Sequence, residues 1–157
     1  MKTRNGFVSN SSSSSFIVAF PYIPETVEEV KQMLFGDIER IDIYDYSITT
    51  SQMAGVVFKD MLDSGIVNKE KIMEEVGLGQ FPGCPEHDYN YQDEEAMNKY
   101  FEIWDKAAVK LGNDFINANL NGHFFIFEYC DNDGPLYSTM EHGDIFSRLP
   151  NIQIGKH

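Results

Sequence analysis

One stretch of the chain has a regular helical period, and this limits the folds that the chain can adopt. Between residues 93 and 120, apolar side chains recur every three or four positions, as in an amphipathic helix with one buried face. If unbroken, this helix would be about 40 Å long, although Gly112-Asn113-Asp114 would also allow a kink. Its aromatic stripe is expected to lie in the core, as the spine on which the rest packs: Tyr100, Phe101, Trp104 and Phe115.

Shorter segments on both sides of this helix predict strands and further helices. Residues 16–20 and 123–129 are apolar on both faces, as in central strands, and residues 38–48 and 151–154 are also β-like. Helix-capping residues stand at Thr26, Thr49 and Asn68. The order of elements predicts an α+β domain, in which a small mixed sheet of about four strands packs on one long helix and two or three shorter helices.

The domain organisation follows from length and composition. A chain of 157 residues, 42% of them apolar, is long enough to bury one core without disulfides or a structural metal. Neither internal repeats nor a linker divide it, so we predict a single domain over residues 1–157. Residues 1–15 end in five consecutive serines and are predicted to form a Ser-rich N-terminal arm.

The charge of the chain restricts its partners and its location. The net charge is −13, and residues 1–24 contain Lys2 and Arg4 but no acid, so the remaining chain carries −15. This charge opposes direct binding to nucleic acid or to an anionic membrane and favours basic partners or metal cations, although solubility is the simpler explanation of the excess acid. Two distant cysteines and the lack of an apolar signal segment predict a cytoplasmic protein, located in the host cell cytoplasm if the chain is viral.

The N-terminal segment carries a recognisable motif. Arg4-Asn5-Gly6-Phe7-Val8-Ser9-Asn10 precedes the five serines and Phe16. This opening resembles that of small, mostly uncharacterised proteins of bacteriophages and their bacterial hosts, which share an Arg-x-Gly-Phe-Val-Ser-Asn-poly-Ser-Phe start. The resemblance covers about a tenth of the chain and implies a viral or mobile-element origin. It implies no activity.

The same segment offers a candidate anion site. Backbone N–H groups and hydroxyls before a buried strand can form a concave nest that holds a phosphate-like anion. The candidate residues are Arg4, Ser9, Asn10 and Ser11. The alternative is a flexible arm that leads into the first strand, because the Gly and Lys spacing of a phosphate-binding loop is absent.

The densest group of polar residues lies near the C-terminus. Carboxylates and an imidazole beside a central strand can hold a divalent metal, which makes such an ion the one cofactor suggested by the sequence. The candidate metal ligands are Asp131, Asp133, Glu141 and His142, with Glu141 and His142 also as catalytic candidates. A turn rich in solvating acids explains these residues equally well. Cys84, His87, His123 and Cys130 also have zinc-ligand chemistry, but their spacing is unlike that of known zinc fingers.

Three functions remain open at this level. The first is a non-enzymatic accessory protein of phage type that binds a host protein or a small ligand through its acidic surface or through the 80–92 loop. The alternative is a small metal-dependent hydrolase or phosphodiesterase that uses the C-terminal cluster. The third is a component of virion assembly. Serine-hydrolase and dinucleotide-binding motifs are absent from the sequence.

Overall fold

The computed structural model describes residues 12–87 and 89–156. It shows an α+β fold, as the sequence predicts. One turn of 3-10 helix, Asp131–Asp133, directly follows the strand that ends at Cys130. In chain order the elements are β1 (Ser13–Phe20), α1 (Val27–Phe35), β2 (Arg40–Ile43), β3 (Tyr46–Thr49), α2 (Thr50–Ser64), α3 (Lys69–Val76), α4 (Glu94–Ala118), β4 (His123–Cys130), α5 (Pro135–His142) and β5 (Asn151–Lys156).

The strands form two antiparallel sheets, whereas the sequence predicted one mixed sheet. In the larger sheet β1 lies between β4 and β5, with Phe16 opposite Phe127 on one side and Gln153 on the other. Strands β2 and β3 pair only with each other among the described residues. The predicted 38–48 strand splits into this hairpin because the chain turns at Tyr44, whose φ of 53° does not continue an extended strand.

Strand β1 begins earlier than its apolar residues indicate. It starts at Ser13, and Ser14 and Ser15 are buried within it, because β4 and β5 continue on both sides and pair with these serines. The Ser-rich arm was predicted to reach residue 15, but residues 13–15 belong to the sheet. Residues 1–11 lie outside the described part of the chain.

Alternation along β1 separates two apolar clusters, one on each face of the larger sheet. Phe16, Val18 and Phe20 face the cluster that contains the buried apolar residues of α1, α2 and α5. Ile17 faces the other cluster, to which α3, α4 and β5 contribute. The sheet is thus the middle layer, and each face is covered by helices.

Helix α4 is continuous, as its period predicts. Gly112 does not break it. A Cβ at this position would lie 2.5 Å from Sδ of Met73, so glycine leaves room for this side chain of α3. Its buried residues, however, are Ala108, Gly112 and Ile116, all in the second half. The prediction that the whole aromatic stripe lies in the core is therefore wrong for Phe101, which is 44% exposed.

The predicted capping residues are confirmed for three helices. Side-chain oxygens of Thr26, Thr49 and Asn68 accept the backbone N–H of the residue three positions later, at 3.1, 3.1 and 2.9 Å. Each bond satisfies a donor that the first helical turn would otherwise leave free. The described helices include no segment with the length and hydropathy of a membrane span.

Candidate functional site

The segment after β4 turns back toward the start of β1 and brings the C-terminal polar residues together. Gly134, at φ 106°, and Pro135 at the first helical turn begin α5. The sequence indicated only an acidic turn here, so the helix over residues 135–142 was not predicted. The helix forms because Pro135 presets the backbone and because Met140 is fully buried against the core. It ends beside β1 with Glu141 and His142.

Three of the four predicted metal ligands meet at this point. Potential ligand atoms of Asp131, Glu141 and His142 all lie within 4.8 Å of one another. Nε2 of His142 is 3.3 Å from Oε1 of Glu141 and 3.6 Å from Oδ2 of Asp131. Asp133 does not join them and is exposed on the 3-10 turn. We call Asp131, Glu141 and His142 the carboxylate-histidine cluster.

Two serines of the polar run complete the cluster, and neither was predicted from the sequence. Oγ of Ser12 lies 3.0 Å from Oδ2 of Asp131, 2.9 Å from Oε2 of Glu141 and 3.4 Å from Nε2 of His142. Oγ of Ser14 donates to Oε2 of Glu141 at 3.1 Å. Strand alternation is the signal that could have found them, because positions 12 and 14 share a face if the strand is extended backwards.

The cluster holds two carboxylates at a partly buried site. Glu141 is only 2% exposed, and its Oε1 accepts the backbone N–H of Asp131 at 3.1 Å. Burial raises the pKa of Asp131, but hydrogen bonds from the Ser12 N–H and hydroxyl and from His142 outweigh it, so the pKa lies below its ordinary value. Within residues 12–87 and 89–156, no Lys or Arg forms a salt bridge with either carboxylate.

These distances suit a small divalent cation. Two ligands that each lie about 2.1 Å from a tetrahedral metal are about 3.4 Å apart, close to the 3.3 and 3.6 Å separations from His142. Carboxylate oxygen combined with imidazole nitrogen is a donor set that zinc, manganese and iron accept. Three protein ligands also leave coordination positions for water or substrate.

A cavity of about 540 Å³ opens beside the cluster. Glu141 and His142 form part of its wall, together with Ser14, Gln80, Cys84 and Gln153. Gln153 donates from Nε2 to Oγ of Ser14 at 3.1 Å. The volume lies within the range of small-molecule sites, and the wall is mixed, with Phe81 and Pro82 beside the polar side chains and the candidate metal ligands.

The other predicted sites are not assembled by the described residues. His123 and Cys130 stand at opposite ends of β4, about 23 Å apart at 3.3 Å per residue, so they do not form a zinc site with Cys84 and His87. The carboxylate-histidine cluster is the one potential metal-binding group found in the described residues. The anion-site candidates Arg4, Ser9, Asn10 and Ser11 lie outside them.

Comparison with known proteins gives no match. No protein-family model matches the chain, and neither a curated protein nor a solved structure is significantly similar to it. The resemblance of the N-terminal motif to phage-type proteins therefore stays a prediction.

Proposed function

We propose that the protein is a small metal-dependent hydrolase, which binds a divalent cation through Asp131, Glu141 and His142. One observation carries this proposal. Glu141 is a buried carboxylate that adjoins a second carboxylate and an open cavity, and no Lys or Arg of the described residues pairs with either acid. Glu141 already accepts hydrogen bonds from Ser12, Ser14 and the Asp131 N–H, but these donors are neutral, and a divalent cation would provide the counter-charge for two adjacent carboxylates.

The residues around the cluster support this chemistry. A bound divalent cation lowers the pKa of a coordinated water, so hydroxide is available near neutral pH. The hydroxide would add to the phosphorus or carbonyl carbon of an ester held in the cavity, and the alcohol would leave after taking up a proton. The proton that the coordinated water releases would go to the leaving alcohol. His142 would hold the metal through Nε2, and the Ser12 hydroxyl, 3.4 Å from that nitrogen, would hydrogen-bond the coordinated water.

Metal binding is tested first. Protein purified without chelator should contain about one equivalent of transition metal. At a free metal concentration about 100 times Kd, the metal should add about 2.7 kcal/mol to the free energy of unfolding. Glu141→Gln should remove this metal-dependent stabilisation. Asp133→Asn is the matched control, because it removes an exposed acid from the same turn and should keep it.

Catalysis is tested separately with chromogenic phosphodiester and carboxylic ester substrates. Activity should be lost in EDTA and in His142→Ala, with the metal-free melting temperature of the variant close to that of the wild type. The proposal is refuted if neither manganese nor zinc raises the stability of the wild type. A His142→Ala variant whose main effect is a lower melting temperature would make the cluster structural.

A second candidate function is a non-enzymatic accessory role, in which the acidic surface binds a host protein or a small ligand. The net charge of −13 supports it, as do large apolar side chains that remain exposed on α4. A cytoplasmic location belongs to this proposal, because Cys84 and Cys130 are both free and both partly accessible, which suits a reducing compartment. We do not propose a membrane or a nucleic acid as partner, because both are anionic and the net charge of the chain is −13.

A further inference from the structure

A cluster of aromatic rings lies on the surface and shares no residue with the carboxylate-histidine cluster. It joins the loop before α4 to the first half of that helix, and Tyr89 is at its centre. The centroid of the Tyr89 ring lies 4.2 to 5.8 Å from four other rings. We define the aromatic patch as His87, Tyr89, Tyr91, Tyr100 and Phe101.

The aromatic patch is not explained by packing of the core. The buried residues of α4 all lie in its second half, so the first half is held mainly by the preceding loop. This contact includes the Tyr100 hydroxyl, which donates to the Pro85 carbonyl at 3.1 Å, and the edge-to-face pair of Phe81 and Trp104 at 4.9 Å. Tyr91 stays 70% exposed and Phe101 44% exposed. Grouped exposed apolar rings of this kind mark interaction surfaces.

The charges in the segment that forms the aromatic patch are mostly negative. Residues 86–102 contain six acidic residues and a single lysine, Lys99. Three of the acids begin α4, where Asp93 caps the helix and Glu94 and Glu95 form its first turn, and all three are exposed. A negative field around exposed aromatic faces attracts cations by Coulomb forces and by cation-π contact.

The combination of rings and acids selects among the possible occupants. A second copy of this chain would bring the same excess of acids to the contact, and a nucleic acid would bring phosphates, so both are repelled. Arginine combines positive charge with a planar group that stacks on aromatic rings, which lysine lacks. We propose that the aromatic patch docks an arginine-rich segment of a partner protein. This proposal rests on the second candidate function and names its surface and the chemistry of its partner.

The test uses the full chain and a fluorescent peptide of alternating Arg and Gly, with anisotropy as the readout at low ionic strength. Tyr91→Ala and Phe101→Ala should each raise the Kd about two- to fivefold, the range of one exposed cation-π contact. The control is Leu62→Ala, which removes a side chain that is 70% exposed on α2 and should leave the Kd unchanged. Circular dichroism checks that each variant is folded.

Two further measurements separate charge from stacking. The Glu94→Gln/Glu95→Gln double variant should weaken binding without altering any ring, and the same peptide with Lys in place of Arg should bind more weakly to the wild type. Equal affinity for both peptides would overturn the proposal, as would a wild-type dimer that Phe101→Ala dissociates in sedimentation. If the ring variants bind the Arg peptide as tightly as the wild type, the aromatic patch is not the docking surface, although a basic partner remains. A wild-type protein that binds neither peptide would also remove a basic partner from the accessory function.

Discussion

Removal of one buried hydroxyl should destabilise the protein in a pH-dependent way. Tyr129 on β4 is 2% exposed, and its hydroxyl donates to Oδ2 of Asp60 on α2 at 2.9 Å. Burial raises the pKa of Tyr129, so the hydroxyl keeps its proton. Tyr129→Phe retains the ring and leaves no large cavity, but it removes a hydrogen bond to a charged group, which is worth about 1.5 to 3 kcal/mol.

The pH dependence has a definite sign. Burial raises the pKa of Asp60 above its ordinary value of 3.8, while the hydrogen bond from Tyr129 lowers it. For an acid with a raised pKa, the stabilising contribution is present below the unfolded pKa and is lost as pH rises through the folded pKa. Without the hydroxyl, the pKa of Asp60 rises further and this loss is larger. The stability gap between wild type and Tyr129→Phe should therefore widen from acidic to neutral pH.

Urea unfolding between about pH 4.5 and pH 7.5 measures this gap. With an m value of about 2 kcal/mol/M, the midpoint of the variant should fall by roughly 1 M urea at neutral pH. Tyr137→Phe is the control, because the Tyr137 ring lies 6.1 Å from Tyr129 and its hydroxyl has no partner among the described residues. Equal losses of stability in the two variants, or a loss for Tyr129→Phe that is larger at acidic pH, would contradict a hydrogen bond from Tyr129 to ionised Asp60.

Two further predictions use matched pairs. Gly112→Ala should change the free energy of unfolding by less than about 0.5 kcal/mol, because displacement of the flexible Sδ–Cε end of Met73 offsets the gain in helix propensity. Gly55→Ala on α2, where no atom lies within 4 Å of the new Cβ, should raise it by about 0.5 to 1 kcal/mol; denaturant unfolding of both variants measures the difference. Lys156→Met should lower the free energy of unfolding by about 3 kcal/mol, because it removes the ammonium group 2.7 Å from the Glu75 carboxylate, which is only 7% exposed. This ion pair is the one close charge contact of that Glu75 oxygen, which has no hydrogen-bond partner among the described residues. Glu128→Gln breaks the exposed pair with the same lysine and should cost less than about 1 kcal/mol; equal losses would contradict the role of burial.

The parts of the fold that depend on local chemistry could be predicted from the sequence. A side-chain oxygen at Thr26, Thr49 or Asn68 reaches a donor three residues away, so no knowledge of the rest of the chain is needed. The length of α4 follows likewise from its own period. Helix α5 was missed because eight residues are too few for a clear period and because its stability comes from burial of Met140.

The candidate site depends on contacts that local patterns do not specify. Asp131, Glu141 and His142 were predicted together because they are close in sequence and share metal-ligand chemistry. Ser12 meets Asp131 across 119 positions, and this contact depends on the register of β1 against β4. Strand register is set by the burial of whole faces, so a run of identical serines gives no sign of which one reaches the cluster.

The serine run can be understood from the two faces of β1. On one side, small hydroxyl side chains at Ser12 and Ser14 allow Glu141 to approach the sheet and give it hydrogen bonds. On the other side, Ser13 donates to the Lys156 carbonyl at 3.3 Å, while Oγ of Ser15 is buried without a partner among the described residues. An apolar residue would suit position 15 better than serine, because it would bury no unsatisfied hydroxyl. The hydrogen bonds to Glu141 therefore account for serine at positions 12 and 14, whereas no contact of the described residues accounts for serine at position 15.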